Sequence, residues 1–195
     1  MRNNYVPRFI LVIIFSFILS QNLQANSQWH SAKEGNKIIL IRHALAPGGG
    51  DPYGFKIDDC KTQRNLNQTG IDQSKKIGNL FKLENIPIDQ ILSSQWCRCK
   101  DTAKYAFGTY KEFSALNSTF REPNNPKAKK QIKKLKNFII NWDGNGGNLV
   151  LVTHFKIINP SFPGVKADSG EMIVVNNNMK VLGRIRFPYD ITIKD

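Results

Sequence analysis

Two short, unbroken apolar runs do most to restrict what this chain can fold into: Ile38-Ile39-Leu40-Ile41, and Leu149-Val150-Leu151-Val152 far along the sequence. Neither alternates with polar residues, as a strand with one wet face would. Both are too short and too β-branched for a buried helix, so they read as strands covered on both faces, the habit of parallel sheets. Between and after them the pattern changes repeatedly. Asn67 offers a helix cap ahead of residues 69–83, where Ile71, Ile77, Leu80 and Phe81 recur at helical spacing. Pro87 closes that element, and 88–92 reads as a strand. Residues 98–107 and 126–142 read as helices, the second carrying Ile132, Leu135, Phe138, Ile139 and Trp142 on one face. Two further β-like runs, 172–175 and 181–187, flank the turn Asn176-Asn177-Asn178. Alternating strands and helices predict a three-layer α/β/α sandwich with a mainly parallel central sheet.

The chain of 195 residues suits a single domain. Residues 37–195 are assigned to it, with 26–36 read as a polar linker. The first 25 residues have a different character. Arg2 and Arg8 precede an apolar stretch of eleven residues, 9–19, and Ala25 provides a small residue for cleavage. This is the pattern of a signal peptide, and it is well short of the roughly 20 residues of a membrane span. It predicts a periplasmic or secreted protein, an uncleaved anchor being the alternative. In an oxidising compartment Cys60 would pair with Cys97 or with Cys99, leaving one thiol.

The net charge of +13 favours anionic partners. Much of the excess is Lys127, Lys129, Lys130, Lys133, Lys134 and Lys136, a run that reads first as a solvated helix face. Nucleic acid is not required by this pattern. The loop 46–61, rich in Gly and Pro, is longer than an ordinary connection, as loops that serve a site often are. Its Gly48-Gly49-Gly50 lacks the Gly-Lys-Ser/Thr of a P-loop. His30, His43 and His154 lack the local spacing of a zinc motif, so no metal is expected.

In open parallel sheets the chemistry gathers where strands stop. Arg42-His43 follows the first strand, Ser93-Ser94 leads to Arg98 after the second, and Thr153-His154 follows the third long run. These blocks, Ile41-Arg42-His43, Ser93-Ser94 with Arg98 and Thr102-Ala103, and Val152-Thr153-His154, resemble the signatures of the histidine phosphatase superfamily, in its phosphoglycerate-mutase-like branch. Leu66-Asn67-Gln68-Thr69-Gly70 is similar to the helix start that follows the long loop in that family. The resemblance implies a metal-free phosphatase with no cofactor and His43 as nucleophile. Arg42 and Arg98 would clamp the phosphoryl oxygens, and His154 would donate a further hydrogen bond. Arg64 is placed by its position as a further substrate-binding candidate.

Two departures stand out. Ala44 occupies a position where the family more usually has Gly, and Leu116-Asn117-Ser118 lacks the Glu that the family supplies as proton donor. A phosphate monoester with a poor alkoxide leaving group needs such a donor. Glu171, just ahead of a strand, is the first candidate, followed by Asp51 and Asp59. The substrate expected is a small phosphorylated anion, of which a phosphorylated envelope sugar is one example. The competing expectation is a domain that has lost turnover and binds an anionic glycan, lipid or nucleic acid through its Lys-rich helix.

Overall fold

The computed structural model describes residues 29–121 and 124–186. Residues 1–25, read above as a signal peptide, lie outside these residues. Among them no helix is long and apolar enough to cross a membrane.

Six strands form one sheet: β1 (Ile38–Arg42), β2 (Ile88–Ser93), β3 (Lys111–Glu112), β4 (Asn148–Thr153), β5 (Met172–Val175) and β6 (Val181–Ile185), in the order β3-β2-β4-β1-β5-β6. The first four pair in parallel, whereas β5 and β6 add an antiparallel ribbon beside β1. The unbroken apolar runs are the two central strands. Ile38 to Ile41 and Leu149 to Val152 are fully buried.

Alternate side chains of those strands feed two separate cores. Ile39, Ile41, Val150 and Val152 face α1 (Gln68–Leu83) and α2 (Cys97–Phe107), packing with Ile77, Phe81, Cys99 and Ala103. Ile38, Leu40, Leu149 and Leu151 face α3 (Pro126–Ile140) and α4 (Phe155–Ser161), packing with Leu135, Ile139, Ile157 and Ile158. The result is the expected three-layer sandwich. The side chain of Asn67 accepts a hydrogen bond from the Gly70 amide and caps α1, and Asn125 with Pro126 starts α3 in the same manner.

Residues 29–33, expected within a linker, are helical instead. Trp29 packs edge-on against Phe81 at 6.0 Å, and Ala32 is fully buried. Asn148, buried at the start of β4, holds this segment down by donating to the Ala32 and Pro87 carbonyls and accepting from the Lys37 amide. Two contacts into the core outweigh the polar composition around them.

Register decides where the site lies. Arg42 pairs with Thr153 and Ser93 with Val152, so β1, β2 and β4 end level with one another. Gly70 brings the start of α1 against the backbone of Leu45, where an added Cβ would collide. The Leu45 amide is fixed there by the side chain of Gln73, which also donates to the Ser169 carbonyl. The turn after His43 is thereby clamped between helix and sheet.

Candidate active site

At the level ends of β1, β2 and β4 a cavity of about 350 Å³ opens, bordered by Arg42, His43, Arg64, Arg98 and His154, with Asp51, Ser118, Phe120, Phe155 and Lys156 around its rim. Four cationic side chains thus face one carboxylate. The structure brings together His43, Arg42, Arg98, His154 and Arg64, which the sequence distributes over more than half the chain.

His43 is 2% exposed. Its Nδ1 lies 2.8 Å from the Ala44 carbonyl, which can only accept, so Nδ1 carries the ring proton and Nε2 keeps the lone pair. Burial, then the Arg98, Arg42 and Arg64 charges, push its pKa down to about 3, outweighing the Ala44 hydrogen bond that acts the other way. The ring is therefore neutral, in one tautomer, at any physiological pH. Those are the requirements for a nitrogen nucleophile.

Arg98 is buried at the start of α2. Thr102 secures that turn, donating to the Arg98 carbonyl and accepting from the Ala44 amide across the cavity floor. Arg42 donates to the Ala167 carbonyl at 2.9 Å and lies over the Phe155 ring. Arg64 is half-buried and clasps the long loop at its base, donating to the Ala46 and Gly48 carbonyls. His154 is neutral as well: burial and then the neighbouring charges hold its pKa well below the usual value. Its Nε2 contacts Ser94 Oγ at 2.9 Å and its Nδ1 contacts Nη2 of Arg98 at 3.4 Å. Since the guanidinium only donates, Nδ1 accepts and Nε2 donates to Ser94. In this state the ring proton of His154 is given to Ser94 and not offered to the cavity, as the resemblance implies it would be, and the ring steadies Arg98 instead.

The disulfide joins Cys60 to Cys97, and Cys99 is left as a buried thiol. It fastens the long loop to the residue that precedes Arg98. Gln63 reinforces the attachment, accepting from the Cys97 amide and donating to the carbonyls of Lys56 and Ile57.

Glu171 is not brought into the cavity. Its buried carboxylate accepts from Arg184 at 2.7 Å, Arg186 at 3.0 Å and the Asp168 amide at 2.7 Å. Burial pushes this carboxyl up, but those three donors outweigh it and hold the pKa below the ordinary range. A carboxylate saturated in this way, away from the cavity lining, is poorly placed to donate a proton there. Asp59 caps the 3₁₀ turn Cys60–Thr62 and is also absent from the lining. Asp51 is the carboxyl that does reach the cavity wall. In the segment Leu116-Asn117-Ser118, where the resemblance leads to the expectation of a Glu, Ser118 lines the cavity, and Asn117 accepts from Ser94 Oγ and the Gln95 amide.

Several residues of the cavity and its border carry no sequence signal that separates them from ordinary residues: Trp96 and Arg121, which hold the Asp51 segment, and Phe120, Phe155 and Lys156, which line the cavity. The last two begin α4, a helix of seven residues with Pro160 inside it, which is too short and too interrupted to show a period. In the Lys-rich helix Lys127, Lys129, Lys130, Lys133 and Lys134 are exposed, as a solvated face requires.

No family profile matches the chain, and no curated protein matches it in sequence. Solved structures do share its fold. A phosphohistidine phosphatase SixA from Agrobacterium tumefaciens aligns at 16% identity over 78% of this chain and 99% of that one, with a TM-score of 0.53. Phosphoglycerate mutase from Thermus thermophilus aligns at 15% identity over 78% and 99%, with a TM-score of 0.56. The protein histidine phosphatase SixA in complex with tungstate aligns at 13% identity over 74% and 92%, with a TM-score of 0.52. At these identities the likeness is one of fold.

Proposed function

From the premise that the chain has the phosphoglycerate-mutase-like fold of the histidine phosphatases, we propose that it is an exported phosphatase that hydrolyses a phosphomonoester through a phosphohistidine on His43. The single observation that carries this reading is the buried His43 ring with Nδ1 2.8 Å from the Ala44 carbonyl and Arg42, Arg64 and Arg98 around the same cavity, which leaves Nε2 as the nitrogen to act as nucleophile. Arg42 and Arg98 bind the phosphoryl oxygens, with Arg64 alongside, and stabilise the charge that spreads over them during transfer. His154, hydrogen-bonded to Nη2 of Arg98, steadies the guanidinium that would receive the phosphoryl oxygens. The reaction needs no metal, because permanently charged guanidinium groups supply the electrostatic stabilisation.

Export is supported by the leader pattern in residues 1–25 and by the Cys60–Cys97 disulfide, which suits an oxidising compartment. A phosphorylated envelope sugar is a substrate that such a compartment provides. Exchange of phosphoryl groups between glycolytic acids is not, which favours hydrolysis over a mutase reaction.

The test is hydrolysis of an aryl phosphate, whose good leaving group dispenses with a proton donor. Turnover should persist in excess chelator and vanish in His43→Ala. Activity that survives the substitution, or disappears with the chelator, refutes the histidine mechanism. Absence of turnover together with tight polyanion binding through the Lys-rich helix would favour the binding-domain alternative.

A further inference from the structure

Arg98, as the structure holds it, has no vacant terminal N–H. Nη1 donates to Asp51 Oδ1 at 2.7 Å and to the Arg64 carbonyl at 3.3 Å, while Nη2 donates to Asp51 Oδ2 at 3.2 Å and to His154 Nδ1 at 3.4 Å. Four contacts match four terminal N–H groups. The buried Nε has no hydrogen-bond partner among the described residues. A planar carboxylate therefore fills, in bidentate fashion, the fork that would take two phosphoryl oxygens. Asp51 is steadied there by the Trp96 indole at 3.0 Å and the Arg64 amide at 3.1 Å, and its side chain is 9% exposed.

The position of Asp51 carries a second implication. A smaller cavity of about 250 Å³ adjoins the first and shares Asp51, Ser118 and Phe120 with it. Its other walls include Phe55, Trp96 and Gln131. Among the described lining residues of both cavities, Asp51 is the one acid. A carboxyl on the wall between a phosphoryl site and its neighbour occupies the place of the bridging oxygen's proton donor.

We propose that Asp51 is that donor, displaced from Arg98 by the incoming phosphoryl group, and that the adjoining cavity takes a ring-bearing leaving alcohol against the aromatic faces of Phe55, Trp96 and Phe120. This rests on the phosphohistidine reading. Loss of the guanidinium and approach of a phosphoryl anion both favour the neutral carboxyl, so Asp51 takes up one proton from solvent. As His43 Nε2 bonds to phosphorus, the P–O bond to the alcohol breaks, its electron pair goes to oxygen, and that oxygen receives the Asp51 proton. Water then attacks phosphorus and passes a proton to the Asp51 carboxylate. The P–N bond breaks, returning its pair to the ring. Inorganic phosphate leaves, and Asp51 releases its proton as it returns to Arg98.

The experiment compares Asp51→Asn and Asp51→Glu with the parent protein on 4-nitrophenyl phosphate and on cyclohexyl phosphate, with inorganic phosphate as inhibitor. In Asp51→Asn the kcat for the alkyl ester should fall by about 10²–10⁴. The fall for the aryl ester should be much smaller, so the aryl-to-alkyl ratio rises. Inorganic phosphate should inhibit that variant more strongly, since no charged competitor holds the arginine. Asp51→Glu should regain part of the alkyl turnover. Equal losses on both esters together with weaker phosphate inhibition would overturn the proposal, making Asp51 a positioning residue for Arg98. Should the asparagine protein not fold, the parent protein decides on a series of phosphates: weak dependence of kcat on leaving-group pKa supports a donor, and steep dependence overturns it. His43→Ala keeps the two readings apart, because its loss of aryl turnover does not depend on Asp51.

Discussion

Asp51 and Glu171 are both carboxylates held by arginine, yet they belong to different regions and have different consequences. Glu171 stands at the start of the antiparallel ribbon, and both its arginines, Arg184 and Arg186, come from β6 or the residue after it. Nothing that enters the cavity competes for them. Asp51 shares its arginine with the phosphoryl site, so any bound anion must contend with it. An ion pair whose members both lie in the scaffold acts as a fastener. One with a member in the binding site responds to ligand.

The contrast can be broken or sharpened by substitution. Beyond His43 and Asp51 themselves, the largest effect should come from Arg98→Ala, which removes a clamp that acts on the transferring group: kcat for an aryl phosphate should drop by about 10²–10³. A drop below tenfold would mean that the phosphoryl group does not use this arginine. Next is Cys60→Ser, which frees the loop bearing Asp51 from α2. Thermal or urea unfolding should reveal a loss of about 2–4 kcal/mol, as expected for removal of a disulfide, and KM should rise as the loop loosens. Glu171→Gln should lower stability by about 1–2 kcal/mol through weakened hydrogen bonds to its donors, with the aryl-to-alkyl ratio unchanged. A selective loss on alkyl phosphates would return Glu171 to the role of acid.

Glu171 also predicts a pH dependence. Its folded pKa is depressed, so the stability it contributes is fully present above the ordinary carboxyl value of 4.5 and is lost as pH falls below it. The unfolding midpoint of the parent protein should decline over that range more steeply than that of Glu171→Gln. The smallest effect is expected from Arg184→Ala. This side chain is partly exposed and Arg186 remains, so stability should fall by less than about 1 kcal/mol, leaving turnover untouched.

The layout of the fold was legible wherever burial leaves a pattern. The central runs of β1 and β4 are fully covered, so their sequences are uninterrupted aliphatic stretches, and Asn67 announces the helix it caps. Residues 29–33 did not announce themselves, because Trp29 and Ala32 are too few to form a period. β3 has two residues and α4 has seven, below the length at which periodicity speaks.

Arg42 and Arg98 were legible because each follows a strand end, whereas Arg64 was named from its place at the end of the long loop and Lys156 carried no signal. The carboxylates were less so, since Asp51 was named only behind Glu171. Glu171 does lie near Arg42, whose amide donates to the Glu171 carbonyl at 3.1 Å, but its side chain turns toward β6, and that ribbon's pairing cannot be read from composition. Asp51 meets Arg98 across 47 positions of chain, through a loop whose path is set by Gln63, Arg64 and the Cys60–Cys97 disulfide rather than by regular structure.

The most direct measurement is rapid quenching of the protein during turnover of an aryl phosphate, followed by peptide mass analysis under alkaline conditions that preserve a P–N bond. A phosphoryl group on the peptide containing His43, formed at the rate of the first turnover and absent from His43→Asn, is the expected result. Steady turnover with no adduct at His43, or turnover that survives His43→Asn, would contradict it.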